Sequence, residues 1–232
     1  YYCITAPMFT RVRHIAFNTE AERQLCRSVF GRFLAPNSIV GCGIEMAPEA
    51  EWSGVKAKYE LPDEYVLYLG RVSKAKVDKL LPYFLRCKAK YGGDAKLVLV
   101  GGFENEIRKF DSPDILFTGY VSDEEKTAIV RHATVMANPS PMESLSLLML
   151  EGMQSRIPLL VNGRSKVMKD HCRLSGAGLW YNNGRDFRKK LHRLLSDPEL
   201  RRTMSEKGPA YVREHYDWEI IIPKLRTLIE SI

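Results

Sequence analysis

From residue 65 onward the chain alternates between short blocks of consecutive apolar residues and stretches of helical period. Tyr65–Leu69 (YVLYL) and Leu97–Val100 (LVLV) are unbroken apolar runs, and Ile115–Phe117, Val135–Ala137, Leu159–Val161 and Leu179–Trp180 are shorter ones. Unbroken runs, as opposed to alternating ones, suit strands buried on both faces. Between them Val77, Leu80, Leu81 and Phe84 fall at i, i+3, i+4 and i+7, with Pro82 inside the span to kink or delay that helix. Ser122 and Glu125 form a capping box ahead of Ala128, Ile129 and His132. Leu147, Leu150 and Met153 predict a further helix, and Phe187, Leu191, Leu194 and Leu195 another. Strands alternating with helices predict an α/β protein, a Rossmann-like parallel sheet with helices on both faces.

The two ends of the chain read differently. Ile15–Phe17 and Ile39–Val40 look like short strands flanking a helix that starts with a Thr19/Glu22 capping box and runs towards Phe33. One strand–helix–strand piece leaves its own sheet uncovered. Residues 1–44 are therefore expected to be the tail of an N-terminal domain plus linker, with a Pro-, Gly- and charge-rich boundary from Gly43 to Pro62. Residues 45–215 form the main domain. Ser196-Asp197-Pro198 is a helix entry, Gly208-Pro209 is expected to interrupt that helix, and residues 216–232 form a last helix with Ile221, Leu225, Leu228 and Ile232 on one face.

Composition narrows the class. A charged content of 27% and an apolar content of 45% exclude disorder, coiled coil and collagen. A chain of 232 residues buries enough surface to fold without disulfide or metal staples. No apolar run approaches the ~20 residues of a membrane span. Cys3, Cys26, Cys42, Cys87 and Cys172 are scattered with no C-x-x-C, as expected of reduced thiols in a cytoplasmic protein. The 35 Lys and Arg against 28 Asp and Glu give a net charge of +7. That balance fits a phosphate-bearing ligand, an anionic membrane surface or nucleic acid. No dense basic block or RNA-binding signature supports the last.

In such a sheet, ligands bind outside the carboxyl ends of the strands. The loop after Val135–Ala137 reads ANPSPMESLSLLMLEGM. Glu143 precedes a helix entering near Ser144–Leu147, and Glu151 lies in its early turns. A helix start offers free N–H groups and partial positive charge to phosphate. Side chains tilt towards the N-terminus, so Glu151 is expected to aim at the same mouth as Glu143. A carboxylate suits a vicinal diol. In YLGRVSKAKVDKLL, Gly70 permits a tight strand exit, and Arg71 and Lys76 could clamp a diphosphate as a planar fork and a point charge. Against this stands the plainer reading of exposed cations and solvated glutamates. No Walker A, H-E-x-x-H, G-x-S-x-G or D-x-D occurs, and no metal site is expected. His132, Trp52, Trp180 and Trp218 read as packing residues.

Together, G-R-x4-K at Gly70–Lys76, P-S-P-x-E-S-x-S-L-x3-L-E at Pro139–Glu151, R-x-P-L-L-V-N-G-R and S-G-A-G-L-W-Y resemble the retaining GT-B glycosyltransferases of group 1, also called glycosyltransferase family four, over nearly the whole chain. The resemblance implies the C-terminal half of a GT-B fold, in which residues 45–215 bind a nucleotide-diphosphate sugar as substrate and the last helix packs back towards the N-terminal domain. It implies a hexosyl transfer to a carbohydrate or lipid-linked acceptor, with retention, no cofactor and no divalent metal, in polysaccharide biosynthesis. By the motif match Glu143 contacts the donor sugar, Glu151 the ribose hydroxyls, and Arg71 and Lys76 the diphosphate. Gly70 and the backbone at Ser144, Leu145, Ser146 and Leu147 approach the sugar and phosphate, and Tyr120 and Val121 pack on the base. A lipid-linked acceptor would bring the protein to the inner face of the membrane. The family's G-F-G after the first Glu is Ser144-Leu145-Ser146 here, and its G-G-x-x-E is replaced by Asn162-Gly163-Arg164-Ser165. Two other classes stay open at this point, a non-catalytic nucleotide-sugar-binding module and a nucleic-acid-binding protein.

Overall fold

The computed structural model describes residues 11–31, 35–103 and 112–231. Six strands, β3 (Tyr65–Leu69), β4 (Lys96–Val100), β5 (Ile115–Gly119), β6 (Val135–Asn138), β7 (Leu159–Asn162) and β8 (Gly178–Tyr181), form one parallel sheet in the order β5-β4-β3-β6-β7-β8. This is the 3-2-1-4-5-6 order of the Rossmann fold, and the connection reverses direction between β3 and β6. The expectation of a parallel sheet with helices on both faces holds.

Period-two alternation divides each strand between two cores. Tyr65, Leu67 and Leu69 face one layer with Val98, Met136 and Leu159. Val66 and Tyr68 face the other with Leu97, Leu99, Val135 and Leu160. All five residues of β3 are buried, which explains why its sequence shows no polar alternation. Helices α5 (Asp123–Arg131), α6 (Leu147–Gln154) and α9 (Pro198–Tyr216) supply Ala128, Met149 and Tyr211 to the first layer. Helices α4 (Leu80–Tyr91) and α8 (Gly184–Ser196) supply Phe84 and Phe187 to the second.

A second, two-stranded parallel sheet pairs β1 (Ile15–Phe17) with β2 (Asn37–Ile39) around α1 (Glu20–Phe30). Thr19 caps α1, accepting from the Glu22 N–H at 3.1 Å, and the Glu22 carboxylate accepts from the Asn18 N–H at 2.7 Å. The helix ends at Gly31, short of the expected Phe33, which lies outside the described residues along with Cys3 and Ile232. Cys26, Cys42, Cys87 and Cys172 are free thiols, and burial pushes that of Cys172 up to about 12.

The structure differs from or adds to the sequence reading in four places. The stretch read as a Pro-, Gly- and charge-rich boundary contains a helix, α2 (Trp52–Tyr59), capped by the Glu51 carboxylate and seated by Val55 and by the Trp52 ring, which stacks on His132 at 4.0 Å. The single helix read from Val77 to Phe84 is two: α3 (Lys74–Val77) and α4, with Pro82 in the first turn of α4 where its missing N–H does no harm. An unexpected helix, α7 (Lys166–Ser175), starts at a Ser165 cap. Finally, α9 runs unbroken through Gly208-Pro209. A Cβ on Gly208 would lie 2.5 Å from the Met153 carbonyl, so the glycine admits close packing of α9 on α6.

The last helix, α10 (Trp218–Glu230), buries Ile221 but leaves Leu225 and Ile229 exposed, so the expected apolar face is only partly covered by this chain. Its Trp218 ring occupies the space a Gly43 side chain would need, at 2.3 Å from an ideal Cβ. No helix among the described residues is long and apolar enough to cross a membrane.

Candidate active site

At the switch between β3 and β6 a cleft of about 420 Å³ opens at the carboxyl ends of the strands. One wall comes from the exit of β3. Gly70, at φ 128°, turns the chain, and its N–H donates to the Val100 carbonyl at 3.0 Å. Val72 N–H donates to the Gly102 carbonyl at 2.9 Å, so pairing continues past the strand and leaves Arg71 pointing outward between two pinned residues. The Tyr68 hydroxyl donates to the Arg71 carbonyl at 3.0 Å. Burial, and next the Glu143 carboxylate, push that hydroxyl up to about 12, so it stays a donor throughout the neutral range. Lys76 reaches the same cleft from α3.

The opposite wall is the loop from Asn138 to Leu148. Asn138 organises it: its Oδ1 accepts from Ser140 N–H at 3.0 Å and its Nδ2 donates to Ser146 Oγ at 3.2 Å. Asn162 Nδ2 donates to the Pro139 carbonyl at 2.9 Å, and the buried Ser140 hydroxyl donates to the Met142 carbonyl at 2.8 Å. Ser146, the N-cap of α6, sits at φ 67°. That left-handed conformation favours glycine, which is why a family glycine at this place is understandable; here the Asn138 amide supports the serine instead. Leu147 and Leu148 line the cleft, and their N–H groups, the first of α6, have no intrahelical acceptor. The N-terminal piece touches this wall too, since Asn18 lines the cleft and Thr19 Oγ1 donates to the Ser144 carbonyl at 3.4 Å.

Replacing Asn138 by alanine is expected to cost about 2 kcal/mol, from two hydrogen bonds of about 1 kcal/mol each. The melting temperature should fall, because the wall that carries the α6 N-terminus is released; calorimetry of the variant checks it.

The structure brings Gly70, Arg71, Lys76, Glu143, Ser144, Leu145, Ser146 and Leu147 to one cleft. It does not bring Glu151, Tyr120 or Val121 to its lining. Glu151 is 9% exposed beneath the loop. Its Oε1 accepts from Lys126 Nζ at 3.2 Å, while its Oε2 is buried with no partner among the described residues. The expectation that Glu151 faces the same mouth as Glu143 is corrected accordingly: Lys126 of α5 holds it inward. Tyr120 is 87% exposed and stands over Gly102, where a Cβ would meet its ring at 2.6 Å. Val121 is partly buried and packs against the first core layer. Sequence reasoning missed Asn18, Cys42, Tyr68, Asn138, Ser140 and Lys126. Only Asn138, at the end of β6 and leading into a Pro-rich turn, carried a local signal.

Under the Ser144–Leu145 segment lies His171 of α7, 2% exposed, with Nδ1 2.9 Å from the Tyr211 hydroxyl. Burial holds its pKa down at about 4, against an ordinary 6.5. Below pH 6.5 the unfolded chain takes up a proton that the folded chain refuses, so stability falls as pH drops from 6.5 to 4 and levels off below. The slope is at most about 1.4 kcal/mol per pH unit. In melting curves across this range, His171→Gln should show a shallower loss than the parent protein; parallel losses would count against the assignment.

No group of three or more His, Cys, Asp or Glu able to hold a metal ion occurs among the described residues. The cleft therefore offers cations, backbone amides and one carboxylate, a set that matches an anionic ligand carrying hydroxyl groups.

Comparison with known proteins places the fold and the family. The chain is 29% identical over 174 residues to an alpha-D-kanosaminyltransferase of Streptomyces kanamyceticus, covering 69% of this chain and 44% of that protein. It spans less than half the length of the curated relatives it matches. Sucrose-phosphate synthase from Thermosynechococcus elongatus superposes with a TM-score of 0.81 at 19% identity, over 99% of this chain and 61% of that one. Anabaena HepE, solved with UDP and glucose, gives a TM-score of 0.79 at 12% identity, over 100% and 67%. These two solved structures have the GT-B fold. The profile described as Glycosyl transferases group 1 matches residues 54–211, more than half of the chain, and the protein belongs to that family.

Proposed function

We propose that this chain carries the donor-binding half of a glycosyltransferase that moves a sugar from a nucleotide-diphosphate sugar to a hydroxyl of a carbohydrate or lipid-linked acceptor. The observation that carries this reading is the convergence of Arg71, Lys76, Glu143 and the free amides of α6 on one cleft at the switch point of the sheet. Glycosyl transfer passes through an oxocarbenium-like state, so charge separates: positive on the sugar, negative on the departing diphosphate. Arg71, Lys76 and the α6 N-terminus are the groups that stabilise the negative partner. Glu143 faces the positive one. UDP and glucose held by HepE on the same fold support a nucleotide-sugar ligand.

In this reading residues 45–215 are the donor domain. The β1–α1–β2 piece belongs with a separate acceptor domain, and α10 joins the two through Trp218 on Gly43 and Ile221 beside Gly41. Tyr120, standing free above Gly102, is available to cover a base. Retention of configuration follows from the family resemblance.

The test is turnover of a panel of isotopically labelled nucleotide sugars by the full-length protein. Label appearing in an acceptor upholds the reading. Tight binding of a nucleotide sugar with no transfer to any acceptor would instead make this a binding module.

A further inference from the structure

Beside the donor cleft lies a second cavity of about 220 Å³, sharing Lys76 and Pro139 as a common wall. Its other cations are Lys79, just after α3, and Arg164, from the Asn162-Gly163-Arg164-Ser165 loop that departs from the family pattern. Among the described residues none of these three cations has a carboxylate within ion-pair distance, although Asp78 also lines the cavity. Elsewhere on the molecule Lys56, Lys88, Lys190, Arg131 and Arg202 are paired.

The wall carrying Arg164 is firmly built. Gly163 N–H donates to the Tyr181 carbonyl at 2.8 Å, and a Cβ at Gly163 would lie 2.9 Å from Asn182 Oδ1. Arg164 N–H donates to Asn162 Oδ1 at 3.1 Å, and the same Asn162 side chain holds the Pro139 carbonyl of the donor loop. One asparagine thus fixes the two cavities relative to each other. Three cations against one carboxylate leave a local excess of positive charge, and the side-chain amides of Asn182 and Asn183 add polar lining.

We propose that this second cavity binds a phosphate group carried by the acceptor. The inference rests on the reading of the neighbouring cleft as the donor site. Arg164 supplies a planar fork and Lys79 a point charge to the phosphate oxygens, and the shared Lys76 lies between acceptor phosphate and donor diphosphate. A sugar phosphate and a phospholipid-type headgroup present the same chemistry.

The test titrates the full-length protein with glucose 6-phosphate, glucose and inorganic phosphate, and with phosphatidylcholine vesicles with and without phosphatidylglycerol. Each titration is run without nucleotide and with whichever nucleoside diphosphate stabilises the protein. The probes expected to bind in both conditions are among those with net negative phosphate charge (glucose 6-phosphate, inorganic phosphate and phosphatidylglycerol vesicles); uncharged glucose and vesicles of zwitterionic phosphatidylcholine, whose choline offsets its phosphate, are not expected to bind. The double variant Lys79→Ala, Arg164→Ala should weaken that binding roughly tenfold or more, two charge-assisted contacts being lost, and leave nucleoside diphosphate affinity unchanged. Binding of the soluble phosphates assigns a sugar phosphate, and binding of phosphatidylglycerol vesicles alone assigns a lipid headgroup; both uphold the subsite. Equal binding by parent and variant, or no binding of any phosphate probe, would overturn it. Failure of every nucleoside diphosphate to bind would overturn the donor reading instead, and the titrations without nucleotide still decide the subsite.

Discussion

Alanine at Glu143 is expected to lower transfer by the full-length enzyme roughly 100-fold or more, the usual cost of removing one preorganised electrostatic contact from a reacting centre. Glu143 sits in the cleft with Arg71 and Lys76, close enough to Tyr68 to raise its pKa. Among the described residues lining the cleft its carboxylate is the only acidic group, so none of them can replace it opposite a positive sugar ring. Glu125 provides the contrast. It closes the capping box of α5 with Ser122 and takes hydrogen bonds from Lys58 and Tyr59, the first of which holds its carboxyl down at about 2. Alanine there should cost about 1 kcal/mol of stability through the lost cap, and little activity. The two variants should therefore separate cleanly, Glu143→Ala in turnover and Glu125→Ala in melting temperature. Equal turnover would contradict the role given to Glu143.

Gly101→Ala is expected to destabilise the fold by at least about 3 kcal/mol, since the displaced atoms are main chain and cannot rotate away. The new Cβ would lie 2.3 Å from the Gly70 carbonyl oxygen and 2.9 Å from its carbon, at a φ of 130° that L-residues rarely adopt. For a chain of this size the melting temperature should drop by roughly 6–12 °C. The damage also falls on the peptide that leads into Arg71, so nucleotide affinity should fall together with stability. Gly119→Ala is the matched control: its φ is 74°, but a Cβ there meets nothing within 4 Å. It should cost only about 1 kcal/mol, from backbone strain alone. Similar melting temperatures for the two variants would contradict the close packing of β3 and β4 at their carboxyl ends.

The six-stranded sheet was legible in the sequence because its strands are buried on both faces, which writes each one as an unbroken apolar block. The same logic explains the elements that were not. Helix α2 buries only Val55 and carries Gly54 near its start, so it shows almost no stripe. Helix α7 buries Val167 and Met168 but continues that face with His171, Cys172 and Ser175, residues that read as polar or neutral in a pattern search. The requirement for glycine at 208 in α9 is set by the Met153 carbonyl, more than fifty positions away in sequence. At the site, residues supplied by strand exits and by the α6 entry were foreseeable, because the switch point of such a sheet is set by topology. The inward turn of Glu151 was not, because it is decided by Lys126 on another helix. Local spacing fixes which way a helical side chain leans; a tertiary ion pair fixes what it reaches.

The central claim is that the cleft between β3 and β6 grips a diphosphate between Arg71, Lys76 and the first amides of α6. A crystal structure of the full-length protein with a bound nucleoside diphosphate tests it most directly. The account predicts phosphate oxygens within hydrogen-bond distance of the Arg71 guanidinium, Lys76 Nζ and the Leu147 or Leu148 N–H. A diphosphate bound away from the carboxyl ends of β3 and β6, with those groups facing only water, would contradict it.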